Sequence, residues 1–139
     1  MKPFNLKEYL KNPNRKIVTR DGVAVRIICT DAIQVFSDKI GNFPVVALVT
    51  GDNNREFTYS YREDGLYCEG KEYSCDLFFA TVKKDGWINV YVKSNGMCKR
   101  TGAIYDTEEE AMKHCIGCSD YIETIHIEWE EYIYETVYS

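Results

Sequence analysis

The feature that most constrains this chain is a succession of short β-branched and aromatic runs, each closed by Gly, Asp or Asn. They read "RKIVTRDGVAVRIICT", "FPVVALVT", "REFTYSY", "GLYCEG", "EYSCDLFFATV" and "WINVYVK". Val, Ile, Thr, Tyr and Phe suit a pleated, half-buried surface, and the small polar residues between the runs supply turn chemistry, so the series predicts an antiparallel meander. Within the first run, Asp21-Gly22 between β-branched residues predicts a hairpin with a tight two-residue turn that uses positive φ angles. "MCKRTGAIY" adds a further strand. "YIETIHIEWEEY" alternates, with Ile125, Ile127 and Trp129 on one face and His126, Glu128 and Glu130 on the other, which predicts a half-buried strand late in the chain.

Two segments carry helix signals instead. Asn5 is placed to cap a short helix through "LKEYL", with Leu6, Tyr9 and Leu10 on one face and Asn12-Pro13 as the stop. Thr107 followed by Glu110 matches a capping box, and Glu108 and Glu109 sit at the positive end of the helix dipole, so a longer helix is expected over about 107–116, ended by Gly117 in the left-handed conformation. A helix packed on a mostly antiparallel sheet, ahead of one late strand, is an α+β arrangement. At 139 residues the chain fits a single globular domain over 1–139. "DAIQVFSDKIGN", residues 31–42, has neither period nor strong turn residues and reads as a loop with room for flexibility.

Charge is unevenly distributed. All 17 Lys and Arg lie at or before Lys113, and Glu123, Glu128, Glu130, Glu131 and Glu135 follow residue 120, so the net charge of −5 belongs to the last nineteen residues. Residues 1–26 hold Lys2, Lys7, Lys11, Arg15, Lys16, Arg20 and Arg26 against Glu8 and Asp21, and this layout predicts that the first hairpin and the last strand lie close, within one molecule or between two. An acidic protein of this kind is not suited to direct nucleic-acid binding. No run approaches the roughly 18 apolar residues of a membrane span, and six cysteines without a leader fit free thiols in a reducing cytoplasm.

Cys115 and Cys118 form a Cys-x-x-Cys pair beside His114. A redox pair of this spacing works at a helix start, where the dipole lowers the first thiol's pKa; here the pair stands at a helix end, and Cys115 shares an apolar stripe with Ala111 and Met112 that points to the core. A structural zinc site needs four ligands. Cys68 and Cys75 are the candidates to complete one with Cys115 and Cys118, if "CEGKEYSC" is a hairpin that puts both on one sheet face. Glu128, Glu130 and Glu131 form a carboxylate cluster whose alternation points to water rather than to a cation. Tyr132, Tyr134 and Tyr138 fall on one side of an extended tail over 131–139, either as a contact surface or as rings covering the sheet's own edge. Those three tyrosines and the three glutamates are the candidate partner-binding residues. No catalytic constellation, phosphate loop or dinucleotide fingerprint is legible, so no catalytic residue and no cofactor is expected.

The segments "KPFNLKEYLKNPNRKIVTRDGVAVRIICTD", "DLFF", "GWINVY", "IYDTEEEA" and "IHIEWEE" resemble a family of small proteins from gut Bacteroidetes and their phages and prophages, to which no activity is attached. The resemblance implies a phage or prophage accessory protein in the cytoplasm of a bacterial host. With the tyrosine-rich end, the expectation is a non-enzymatic protein-interaction module that binds a partner or itself. Two alternatives stand beside it: an acidic mimic of nucleic acid that occupies a host or defence protein's DNA groove, and a small-ligand binder or enzyme whose site forms only in three dimensions.

Overall fold

The computed structural model describes residues 1–92 and 99–135. Strands dominate, and the architecture is α+β with antiparallel pairing. The chain divides into two compact units, the first comprising Met1–Val82 with the chain from Tyr132 onward, the second Lys83–Glu131.

In the first unit Asn5 caps helix α1 (Leu6–Lys11) by accepting from the Glu8 amide at 3.2 Å, and Asn12 ends it. Leu6 and Tyr9 pack against the core, whereas Leu10, expected on the same face, is 54% exposed. Strand β1 (Lys2–Pro3) precedes the helix; β2 (Ile17–Thr19), β3 (Ala24–Cys29), β4 (Val45–Thr50), β5 (Glu56–Tyr61) and β6 (Leu77–Phe79) follow it. The sheet order is β1-β6-β2-β3-β4-β5. Strands β2 to β5 keep meander order, and β6 then returns to pair with both β2 and β1. This places β2 centrally, which explains why all three of its residues are buried. In β4 the alternation is visible directly: Val45, Ala47 and Val49 enter a core with Phe4, Ile17, Val25, Tyr61, Leu77 and Phe79.

The hairpin at Asp21-Gly22 is present, but its turn differs from the expectation. The Gly22 amide donates to Thr19 O at 2.8 Å and the Thr19 amide to Val23 O at 2.9 Å, and Gly22 alone among these residues has positive φ, at +83°. Arg20, Asp21 and Gly22 thus form a three-residue connection, a type I turn closed by a left-handed glycine. Residues 62–76, expected to contain strands through "GLYCEG" and "EYSC", have no strand before Leu77. Asp76 is the physical reason. Its buried carboxylate accepts from the Tyr67 and Tyr73 amides, each at 2.9 Å, and from Arg20 Nη2 at 2.9 Å. Backbone donors that a ladder would have used are satisfied by a side chain.

The second unit is built on β7 (Thr81–Val92), which starts two residues before it, with β8 (Lys99–Tyr105) and β9 (Tyr121–Tyr132) on either side in the order β8-β7-β9. A break expected at Asp85-Gly86 is absent. Gly86 lies inside the continuous strand, where an added Cβ would stand 2.5 Å from Ile104 Cγ2, so its small size serves close approach and not a turn. Helix α2 (Glu108–Lys113) is capped as expected by Thr107, whose hydroxyl accepts from the Glu110 amide at 3.1 Å. It is shorter than the span expected over 107–116. Its Ala111 carbonyl accepts from Asn89 Nδ2 at 2.7 Å, and Thr124 donates to Asn89 Oδ1 at 2.7 Å, so one buried asparagine ties the helix to β7 and β9.

Candidate functional site

The carboxylates and rings expected to form one terminal surface belong to different units. Glu128 and Glu131 are exposed on the second unit, and Glu130 is half-buried there beside Lys83, Lys84, Asp85 and Trp129, around an open depression. Trp129 Nε1 donates to Glu131 Oε1 at 2.9 Å. Tyr132 packs into the first unit: its ring meets Phe79 edge-on at 5.4 Å and lies under Arg15. Tyr134 is exposed and bridges Arg15 through the backbone. Tyr138 lies outside the described residues.

The charge layout predicted closeness of the first hairpin and the last strand. What the first unit shows is the segment after that strand running beside residues 14–16, while Glu123, Glu128, Glu130 and Glu131 belong to the second unit. The Glu135 amide donates to Asn14 O at 2.7 Å, while the N-terminal cations pair elsewhere: Arg15 and Lys11 with Glu8, Arg20 with Asp76, and Arg26 bidentately with Glu56 at 2.7 and 2.8 Å. The Lys11 ammonium beside Glu8 and the Arg26 guanidinium beside Glu56 hold these carboxyls below the usual carboxylate range.

The thiols are dispersed. Cys68 and Cys75 sit half-buried in the irregular 62–76 segment, not on a sheet face, and burial pushes the Cys75 thiol up. Cys115 is half-buried just beyond α2, its Sγ donating to Met112 O at 3.0 Å, and Cys118 is exposed. Of the stripe expected to point inward, Ala111 alone is buried and Met112 is 48% exposed, because the helix ends before Cys115 comes round to its inner face. Among the described residues no group of three or more His, Cys, Asp or Glu side chains is placed to hold a metal ion.

Two constellations escaped sequence reading. On the second unit His126, expected as a plain surface histidine, places Nε2 at 2.9 Å from Asp85 Oδ2 and its ring 4.7 Å from that of Trp87. On the first unit, Lys39 from the 31–42 loop enters a group of aromatic rings. Its Nζ stands 3.3 Å from the Tyr67 ring centroid, 5.1 Å from Phe43 and 5.2 Å from Phe36. Tyr67 is itself braced edge-on by Tyr59 at 5.8 Å and Tyr73 at 5.2 Å. The loop has no regular structure but is fastened: Gln34 Nε2 donates to Phe43 O at 2.9 Å and lies 3.2 Å from Ser60 Oγ, and the Ala32 amide donates to Pro44 O at 3.0 Å. The available signal was the crowding of Phe36, Phe43, Tyr59, Tyr61, Tyr67 and Tyr73 into the middle of the sequence. Nothing local says that three of them, Phe36, Phe43 and Tyr67, converge on one lysine.

Compared with protein-family models, with curated proteins and with solved structures, the chain gives no match. Among the described residues no helix is long and apolar enough to cross a membrane.

Proposed function

We propose that the protein is a non-enzymatic interaction module of the phage or prophage accessory kind, acting inside a bacterial cell by binding a protein partner or a second copy of itself. The observation that supports this reading is the 31–42 loop, on which Ile33, Val35 and Ile40 are 92, 89 and 80% exposed while Gln34 and Lys39 hold the loop to the first unit. Scattered single aliphatics are ordinary on a protein surface. Three on one anchored loop are a prepared contact, because fully covering each contributes roughly 1.5–3 kcal/mol and little loop entropy is lost on binding. The terminal carboxylates then act on the rate of encounter with a basic partner.

The test is the triple variant Ile33→Ser, Val35→Ser, Ile40→Ser, compared with the unaltered protein in sedimentation and in affinity capture from a bacterial host across a range of salt. Loss of self-association, or of a captured protein whose binding is insensitive to salt, supports the reading. Capture that survives the triple variant and falls steeply with salt would favour an acidic nucleic-acid mimic instead.

A further inference from the structure

We propose that the aromatic pocket around Tyr67 is a binding site for methylated ammonium cations, filled in the free protein by the chain's own Lys39. A cation within about 6 Å of a ring centroid, over its face, is drawn to the negative quadrupole, and several rings around one nitrogen are the arrangement that recognises quaternary ammonium groups. Here Tyr67, Phe43 and Phe36 surround one nitrogen at 3.3, 5.1 and 5.2 Å.

The pocket is built independently of its occupant. The Tyr67 amide is fixed by the buried carboxylate of Asp76, its ring is braced by Tyr59 and Tyr73, and Phe43 is fully buried two residues before β4. Phe36 is held edge-on to Phe43 at 5.3 Å. Lys39, by contrast, reaches the pocket on four rotatable methylene carbons. An incoming cation therefore displaces the Lys39 side chain, while the bonds of Gln34 to Phe43 O and of the Ala32 amide to Pro44 O still hold the loop.

The chemistry of the walls selects the ligand. Among the described residues Lys39 makes no ion pair and no side-chain hydrogen bond within the protein. A primary ammonium carries three N–H donors, and ring faces offer them no conventional acceptor. A trimethylated nitrogen has no donor to satisfy, is more weakly hydrated, and presents methyl groups to the same faces. The matching class is thus the choline or trimethyl-lysine head group, whether as a small molecule or on a peptide side chain. This reading stands apart from the apolar loop surface, since it concerns the inner side of the loop.

The test uses the full chain carrying Lys39→Met, which empties the pocket of charge while keeping an unbranched apolar side chain. Choline, and its neutral carbon isostere 3,3-dimethylbutanol, are titrated while the Tyr67 and Phe43 ring resonances are followed by NMR. The expected result is saturable choline binding about tenfold tighter in Lys39→Met than in the unaltered protein, with little response to the neutral isostere. Adding Tyr67→Leu should abolish it, and adding Phe36→Leu, a milder change on the loop, should weaken it if Tyr67→Leu disturbs folding. Trimethyl-lysine in a short peptide against free choline separates a peptide from a small-molecule source. Absence of saturable shifts in Lys39→Met, equal binding of the neutral isostere, or binding indifferent to both ring variants would overturn the proposal.

Discussion

The guanidinium carbon of Arg15 stands 4.2 Å from the centroid of the Tyr132 ring, which also receives Lys2 Nζ at 4.9 Å. The segment that follows is stitched on by three backbone bonds: Lys16 N to Ile133 O, Ile133 N to Ala80 O, and Glu135 N to Asn14 O. Of the tyrosines that alternate along the tail, Tyr132 is a wall of the first unit. Truncation after Glu131 should therefore lower stability by roughly 3–5 kcal/mol, at about 1 kcal/mol per hydrogen bond plus the lost ring packing. Urea denaturation measures it, and an unchanged midpoint would show that the contacts contribute nothing.

Asp76 makes the sharpest single-residue prediction. Asp76→Ala leaves two amide donors and the Arg20 guanidinium without their acceptor, which costs on the order of 3–5 kcal/mol, and Asp76→Asn should fall between it and the unaltered protein. Thermal melting of the two variants should rank them in that order. If alanine melts no lower than asparagine, the carboxylate does not organise residues 62–76.

At Gly22 the space around a notional Cβ is empty, so any penalty must come from φ alone. Gly22→Val is expected to lose about 1–3 kcal/mol and Gly22→Asn much less, because asparagine tolerates the left-handed region. Equal melting temperatures for both variants would mean that the turn relaxes to another type.

Tyr61 is fully buried, donates to Cys75 O at 2.8 Å, and has its pKa raised first by burial, then by Cys75, Tyr59 and Asp76 nearby. A raised folded-state pKa means that above about pH 10 the unfolded chain has lost a proton which the folded chain keeps. The stabilising contribution is complete below that pH and declines by up to about 1.4 kcal/mol per pH unit as pH climbs towards the folded-state value. Denaturation of Tyr61→Phe between pH 9 and pH 11 should show a shallower decline than the unaltered protein. Parallel curves would remove Tyr61 as the cause.

Core is unequally shared between the units. Among the described residues of Lys83–Glu131, the buried hydrophobic side chains are Tyr91 and Ala111, while Ile104, Ile122 and Ile125 are exposed. Amides of β8 and β9 are expected to exchange with solvent faster than those of β2 and β4, since local opening exposes little further apolar area. Hydrogen exchange read by mass spectrometry decides this, and equal protection would point to one cooperative structure.

What the sequence disclosed was whatever is written locally. Asn5 and Thr107 cap helices through bonds to amides three residues on, and the alternation of β4 can be read two residues at a time. In β9, by contrast, Ile125, expected on the inner face, is exposed and Glu130, expected outside, is half-buried. What it hid depends on partners far along the chain. Asp76 captures Arg20 across 56 positions, and that bond, with the amides of Tyr67 and Tyr73, turned apparent strands into an irregular loop. Gly86 looks like a turn signal until Ile104 is placed against it. The pocket of Lys39 was invisible for the same reason, since its walls come from residues 36, 43 and 67 and none of them carries a motif.

The pairing of Lys2 and Pro3 with Phe79 and Phe78, and of Asn14 and Lys16 with Glu135 and Ile133, sets a timetable for a chain made from its N-terminus. Helix α1 and the first hairpin can form as soon as they are synthesised, but β2 lacks one neighbour until β6 arrives, and the last stitches wait until Ile133 and Glu135 have been made. Such long closures slow folding and leave an unpaired strand edge on the nascent protein, where intermolecular pairing competes. Expression at low temperature or with a chaperone that shields strand edges should raise the soluble yield more than any substitution in the finished core.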